Sequence, residues 1–378
     1  MDPTSLRVLF VNRMAGLQRG GGETFDLGMA AALAARGAHV EFLTGAPLFS
    51  GPPQPVEGFP AHYLHSPFLP WLPWDRMRGG WRIREAAFRC FEILAHRWIA
   101  RHARDFDIVQ ICELPRLVHS LKRARCPAAT CLRLTAPNFH DPVGGVEEAD
   151  GLIASGTTIK TLAEKGVYAR NIPNAVDTSV FHPGSDNGWR ARHGIAESDR
   201  VAIYPARFQG FKNHALLLHA FRRVLDRKPG ARLVLAGDGP LLGETRKLAA
   251  SLGVAAQTFF TGEIPQAEMA DAMRAADLCV ISSDYESFCF AAIEAMATGK
   301  PVVSTDCGWV PTLLEGGAGT VAAKGDANAL ASAWRKMLGN ENARKACGAA
   351  GLAKVLAECT WDRSAERLLE LYGEIRHR

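Results

Sequence analysis

The stretch DLCVISSDYESFCFAAIEAM, residues 277–296, reads as a buried strand, a turn and the opening of a helix. Ser287 is placed to cap that helix, which leaves the N–H groups of Phe288 and Cys289 unpaired in its first turn. A terminus of this kind attracts phosphate through aligned donors and the positive end of the helix dipole. Glu286 then sits beside the anion site, and Glu294 lies about two turns deeper, roughly 9 Å along the axis from Phe288 at ~1.5 Å per residue. Carboxylates beside a phosphate do not attract it. They suit the hydroxyl-rich groups on either side of it, as a sugar and a ribose are. Alone, a glutamate pair at this spacing also fits a solvated helix face.

Working outward, strand and helix patterns alternate along the chain, which predicts α/β layers with parallel sheets. RVLFVN, AHVEFLTG, DIVQICE, AATCLRLT and GLIASG form a first series of strands, with helices over 24–36 and 82–103. VAIYPARF, RLVLAGDG, TFFTGEI, DLCVISSD and KPVVSTDCG form a second. The polar stretch 176–198 is the expected join. The expected domains are 1–178 and 179–360, with a helix over about 361–378 packing back on the first.

A chain of 378 residues, 47% hydrophobic and 22% charged, is that of a globular protein with room for two such domains. Nine cysteines with no CxxC pair argue against a disulfide framework or a zinc site and for reduced thiols in the cytoplasm. The opening MDPTSLRVLFVN reads as a first strand rather than a signal peptide. No apolar run approaches the ~20 residues of a membrane span. A net charge of +5 is too small to point to nucleic acid.

Polar signals gather at expected strand ends, where open α/β sheets bind ligands. After RVLFVN come Gly20, Gly21 and Gly22, which let backbone amides approach a ligand, although the loop does not match GxGxxG. After VAIYPARF come Arg207 and Lys212, a guanidinium fork and a compact ammonium able to converge on one anion. DFD at 105–107 resembles a metal-binding DxD but directly precedes IVQIC, so it reads as a connector and no metal site is assigned.

Taken in order, RGGGE, IPNAVDTSVF (172–181), PARFQGFKN (205–213), LVLAGDGP, FFTGEIP and ESFCFAAIEAMATGKPVV resemble the family-four retaining glycosyltransferases across nearly the whole chain. The resemblance implies the GT-B fold, two Rossmann-like domains facing a cleft. It implies transfer of a sugar from a nucleoside-diphosphate sugar, a UDP-sugar first, to an acceptor hydroxyl with retained configuration, and no cofactor or metal. By resemblance Arg207 and Lys212 hold the donor diphosphate. Glu286 accepts sugar hydroxyls and Glu294 ribose hydroxyls. Phe288 and Cys289 add backbone amides, Gly21 and Gly22 approach the diphosphate, and Ile264 contacts the nucleobase. A sugar-nucleotide epimerase or hydrolase, or a non-catalytic relative that binds nucleotide-sugars, is the alternative.

Departures from the family pattern concern the sugar and the acceptor. Thr135 stands where histidine is frequent, with His140 five residues on, and Cys289 stands where glycine is usual. Trp309 and Thr312 replace a usual Gly and Glu. On the acceptor side, Trp71, Trp74 and Trp81 precede a helix whose expected apolar stripe is Ile83, Ala87, Cys90, Leu94 and Trp98. Arg78, Arg82, Arg89, Arg97 and Arg104 flank it. Such a face suits an anionic membrane at the inner leaflet or an acceptor carrying phosphate. It equally suits a core-packed helix with solvated arginines, and Trp71 and Trp74 equally suit stacking on the sugar rings of a soluble acceptor.

Overall fold

The computed structural model describes residues 3–17, 20–48, 55–56, 58–67 and 80–376. The chain divides into two compact units, Met1–Asn174 with Trp361–Arg378, and Ala175–Thr360. The first break falls after residue 174 rather than 178. The polar stretch 176–198 is therefore no linker. It belongs to the second unit and carries the fully buried Trp189 and the buried Phe181.

The first unit holds β1 (Arg7–Val11), β2 (His39–Pro47), β3 (Ala61–Ser66), β4 (Ile108–Cys112), β5 (Ala129–Leu134), β6 (Gly151–Ala154) and β7 (Arg170–Asn171). They lie in the order β3-β2-β1-β4-β5-β6-β7. The second holds β8 (Arg200–Pro205), β9 (Ala231–Ala236), β10 (Thr258–Gly262), β11 (Leu278–Ile281), β12 (Val302–Thr305) and β13 (Gly319–Ala322), ordered β10-β9-β8-β11-β12-β13. Pairing within both sheets is parallel. Parallel strands are covered by crossover helices on both faces, so they read as continuous apolar runs. Leu278–Ile281 and Val302–Val303 are fully buried accordingly. The strand order reverses between β1 and β4 in one sheet and between β8 and β11 in the other. Loops diverge at such a point and open a crevice at the carboxyl ends.

The helix Trp361–Ile375 completes the first unit's core. Tyr372 donates its hydroxyl proton to Gln110 Oε1 at 2.9 Å in the middle of β4. The Trp361 indole lies edge-on to Phe25, 6.1 Å between centroids. It also fills the space beside Gly28, where a Cβ would fall 2.2 Å from the ring. Gly28 costs helix propensity within Gly21–Ala34 but admits the tryptophan.

Two helices differ from expectation. The first begins at Gly21, so the glycine loop runs straight into it, and the second spans Gly80–His102. The second buries Ala87, Phe91, Ala95 and Ile99, a strict four-residue repeat, while Ile83 is 53% exposed. The core stripe is thus rotated from the one expected. Cys90, Leu94 and Trp98 flank it half-buried, and Arg82, Arg89 and Arg97 lie on the exposed face. Arg78, Trp71 and Trp74 fall outside the described residues, as does the side chain of Trp81.

Candidate functional site

In the second unit the switch point gathers side chains from the loops after β8, β11 and β12. Lys212 ends a short 3-10 turn, Gly210–Lys212, and Asn213 follows in the left-handed region at φ 49°. Asn213 caps the next helix by accepting from the Leu216 N–H, while its amide donates to Asp284 Oδ1 at 3.0 Å. That link ties the loop after β8 to the loop after β11. Lys212 Nζ then donates to Glu286 Oε1 at 2.6 Å, and Ser283 donates to the same oxygen at 2.6 Å. Tyr204 OH lies 2.6 Å from Ser283 Oγ and donates to the Lys212 carbonyl at 3.2 Å. Glu286 is buried and its oxygen is held from two sides.

The loop carrying Glu286 is fixed by glycine. Gly308 has φ 58°, and a Cβ there would meet the Glu286 carbonyl oxygen at 1.8 Å. The Trp309 N–H donates to that same carbonyl at 3.1 Å. The departure at Trp309 therefore leaves the backbone bond available, since any residue but proline supplies it. Arg207 lies on the same switch-point loop, exposed, with no side-chain hydrogen bond or ion pair among the described residues. The structure thus joins Lys212 to Glu286 rather than to Arg207.

The helix begins later than expected. It spans Phe290–Ala297, its N-cap is Cys289, and Ser287 makes no cap. Cys289 has φ 85° and ψ 88°, a conformation that costs a side chain and suits glycine. This is the physical content of the cysteine-for-glycine departure. No backbone–backbone bond takes the N–H of Phe288 or Cys289 among the described residues, and both side chains are buried. Burial, then the charge of Glu286, drives the Cys289 thiol pKa well up, so it stays protonated. Glu294 falls in the second turn of the shortened helix. Burial alone raises its carboxyl to about 7. Ile264 lies half-buried after β10, just before the helix Gln266–Ala275.

In the first unit, Gly21 and Gly22 open the helix after β1, and neither has a positive φ. A Cβ at Gly22 would make only ordinary contacts near 3.9 Å with Cys112 and Thr135. Packing within the unit does not require glycine there. Beneath the loop lies a buried polar network absent from the sequence reading. Asn12 donates to Asp26 at 2.7 Å, and Arg133 pairs with Asp26 at 3.3 Å while lying 3.8 Å from the Phe25 ring centroid. Burial raises the Asp26 carboxyl, and Arg133 opposes that rise. Thr135 donates its N–H and hydroxyl to Glu113, so it is held as a donor. His140 is exposed at the rim of a cavity at this end of the sheet. DFD occupies the link into β4, where Asp107 accepts from the Arg7 N–H and pairs with Arg376 at 2.7 Å.

The family described as glycosyl transferases group 1 matches residues 185–354. The D-inositol 3-phosphate glycosyltransferase of Thermobifida fusca is 30% identical over 304 residues, 75% of this chain and 69% of that protein. The enzyme of that name from Segniliparus rotundus is 30% identical over 246 residues, 60% and 53% of the two chains. The chain spans about half the length of several such relatives, 53%, 52% and 46% in three of them. Among solved structures, sucrose-phosphate synthase from Thermosynechococcus elongatus superposes with a TM-score of 0.79 at 21% identity, covering 98% of this chain and 99% of the other. HepE of Anabaena, in complex with UDP and glucose, gives 0.74 at 16% identity over 97% and 98%. These likenesses show the GT-B fold expected from the motifs. With a switch-point site built from the motifs that carried the resemblance, the match to the Thermobifida protein over two thirds of its length places the chain in the group 1 glycosyltransferase family.

Proposed function

We propose that the chain transfers a sugar from a nucleoside-diphosphate sugar, a UDP-sugar first, to an acceptor hydroxyl, with retention and without metal or cofactor. The observation that carries this reading is the Lys212–Glu286 pair set beside exposed Arg207 at the switch point of the second sheet. Charge grows on the leaving diphosphate as the glycosidic bond to it weakens. Arg207 and Lys212 are the cations placed to stabilise that charge, and the N–H groups of Phe288 and Cys289 add neutral donors. Glu286 fixes the lysine through one oxygen and keeps its other oxygen for a sugar hydroxyl. Glu294 provides a carboxyl for the ribose. HepE, whose structures hold UDP and UDP-glucose, supports the choice of donor.

A second feature concerns location. The exposed face of the helix Gly80–His102 carries Arg82, Arg97 and Arg101, with Ile83 and Ile93 exposed at 53% and 55%. No helix among the described residues is long and apolar enough to cross a membrane. The basic face favours a cytoplasmic protein resting on anionic lipid at the inner face of the membrane.

Thermal-shift measurements across UDP-, GDP- and ADP-sugars test the donor, and NMR of the product tests the retained anomer. Donor consumption that needs no acceptor hydroxyl would instead establish the epimerase or hydrolase reading. Donor binding without any turnover would establish the non-catalytic one.

A further inference from the structure

Three buried hydroxyls gather around Glu286, those of Tyr204 near the end of β8 and of Ser282 and Ser283 just after β11. Their geometry settles which way the protons run. Ser283 Oγ has a single proton, and it goes to Glu286 Oε1 at 2.6 Å. Ser283 therefore accepts from the Tyr204 hydroxyl, 2.6 Å away. The Lys212 carbonyl, the other acceptor near the phenol at 3.2 Å, has a nearer donor of its own in Ser282 Oγ at 3.0 Å. The result is a directed relay from Tyr204 through Ser283 to Glu286. Burial, then the charge of Glu286, pushes the Tyr204 hydroxyl well above its ordinary pKa, so it stays protonated as the first donor.

A third strand holds the relay in place, because Thr305 at the end of β12 donates its hydroxyl proton to the Ser283 carbonyl at 2.7 Å. Filling space does not require these hydroxyls. Phenylalanine and alanine take up almost the same volumes, and replacing both partners of a buried hydrogen bond by apolar groups is close to neutral for stability. What the hydroxyls add is direction. The terminal torsion of a glutamate is broad, so a carboxylate held by one donor still swings. Glu286 Oε1 has two donors, Lys212 Nζ and Ser283 Oγ, each at 2.6 Å. Oε2 takes no hydrogen bond among the described residues. One oxygen is pinned from two sides, and the aim of the other follows from it.

We infer, resting on the transferase reading, that Tyr204 and Ser283 are positioning residues for the donor sugar: they lock Glu286 so that Oε2 meets one particular sugar hydroxyl. Neither residue needs to touch the substrate. Their effect runs through Glu286 and falls on the sugar, while the contacts of diphosphate and ribose stay as they are. The relay thereby selects a donor whose hydroxyl stands where a fixed oxygen accepts its proton.

The test is isothermal titration of the full chain with UDP, UDP-glucose and a set of UDP-deoxyglucose analogues, each lacking one sugar hydroxyl. The most that can be lost is the sugar's own hydrogen bond to a carboxylate, about 10- to 150-fold in affinity. Ser283→Ala is expected to weaken UDP-glucose by about 10-fold and Tyr204→Phe by about 3-fold, since the serine stands one step nearer Glu286. UDP affinity should be unchanged in both. Tyr204→Phe combined with Ser283→Ala should lose no more than Ser283→Ala alone, because the tyrosine acts through the serine. Wild type and both variants should bind equally the one analogue that lacks the hydroxyl meeting Oε2. Equal losses for UDP and UDP-glucose would make the two residues mere loop supports and overturn the inference. The same loss with every deoxy analogue, additive losses in the double variant, or full UDP-glucose affinity in either single variant overturns it too. Should Ser283→Ala not fold, Tyr204→Phe, which removes a single oxygen, reads the same contrasts. A wild-type chain that binds no UDP-glucose overturns the donor reading itself, and this role with it.

Discussion

The ammonium of Lys212 and the carboxylate of Glu286 meet at 2.6 Å, although 74 residues separate them in the chain. The pair is largely buried, with side-chain exposures of 19% and 8%. Neither residue is therefore free to act alone. Lysine is aimed by glutamate, and the glutamate oxygen is held in turn by lysine and Ser283.

Removing one partner should separate stability from catalysis. Lys212→Ala leaves Glu286 buried with only Ser283 as donor, which should cost about 3–5 kcal/mol of unfolding free energy. Lys212→Met with Glu286→Gln removes both charges and should restore most of that stability, while transfer stays at least about 10-fold down in kcat/KM. Arg207→Ala should leave the unfolding midpoint unchanged and lower kcat/KM by about 10- to 150-fold. Denaturant unfolding and steady-state rates on the same samples check both arms. An Arg207→Ala enzyme with unimpaired transfer would remove arginine from the proposed clamp.

Glu294 makes a prediction with a definite sign. Its folded pKa of about 7 lies above the ordinary 4.5. Between those values only the folded chain holds the proton, so this group's contribution to stability falls as pH rises from about 4.5 to 7. Above that window ionised Glu294 costs about 3 kcal/mol. Glu294→Gln should raise the Tm at pH 8 by several degrees and change it little at pH 4.5. Ribose hydroxyls need the ionised form as acceptor, so UDP affinity in the native chain should rise with pH through 7 and lose that dependence in Glu294→Gln. Calorimetry at pH 6 and 8 reads both effects.

His214 works in the opposite direction. The ring stacks 4.1 Å from Phe208, with both nitrogens buried and without a hydrogen-bond partner among the described residues. Burial, with Lys212 adding to it, lowers its pKa from 6.5 to about 4. The unfolded chain takes up a proton first, so stability present above pH 6.5 is lost as pH falls towards 4, by about 3 kcal/mol in full. His214→Phe should flatten the stability profile in that window. An unchanged slope would mean that another group carries the acid sensitivity.

Cys289 should rank its substitutions by backbone strain, as its N-cap position with positive φ implies. Glycine relieves the left-handed strain of φ 85° but loses a buried thiol, whereas alanine loses the thiol and keeps the strain. Cys289→Gly should therefore unfold at a higher temperature than Cys289→Ala, by roughly 1–2 kcal/mol. Thermal melts of the two proteins decide it.

The basic helix face gives a salt-dependent outcome. Replacing Arg82, Arg97 and Arg101 by Gln should abolish flotation with anionic vesicles at low salt and leave UDP affinity as it was. Flotation that ignores both salt and these charges would exclude an electrostatic membrane contact.

The strand pattern was legible because parallel strands such as Leu278–Ile281 are apolar throughout. The missed strands are different in kind. Ala61–Ser66 reads AHYLHS and is only partly buried at a sheet edge, Arg170–Asn171 is two polar residues long, and Gly319–Ala322 is only four residues long. Strand order was not legible either, since Asp26 finds Arg133 only through tertiary packing. In the site, the residue types at Arg207, Lys212, Glu286 and Glu294 were readable. Which of them touch was not, because the Lys212–Glu286 bond depends on the Asn213–Asp284 tie and on Gly308. The helix start was misread for a local reason: nothing in a cysteine signals left-handed backbone. Arg13 escaped notice because a lone arginine after β1 looks solvated until packing brings the Phe88 ring of the helix Gly80–His102 to 3.6 Å from its guanidinium carbon.

The helix Trp361–Ile375 has a consequence for how the chain is made. Every strand of the first unit has been synthesised by Asn171, yet Trp361 and Tyr372 emerge only after all of Ala175–Thr360. That intervening stretch is continuous, and its two ends meet in the Val176–Thr360 bridge, so it can close its core by itself. The part translated later is thus the part able to finish first. The earlier part must wait on the ribosome with Phe25 and Gly28 still lacking their indole, and nascent chains stalled before residue 361 should leave it the protease-sensitive half.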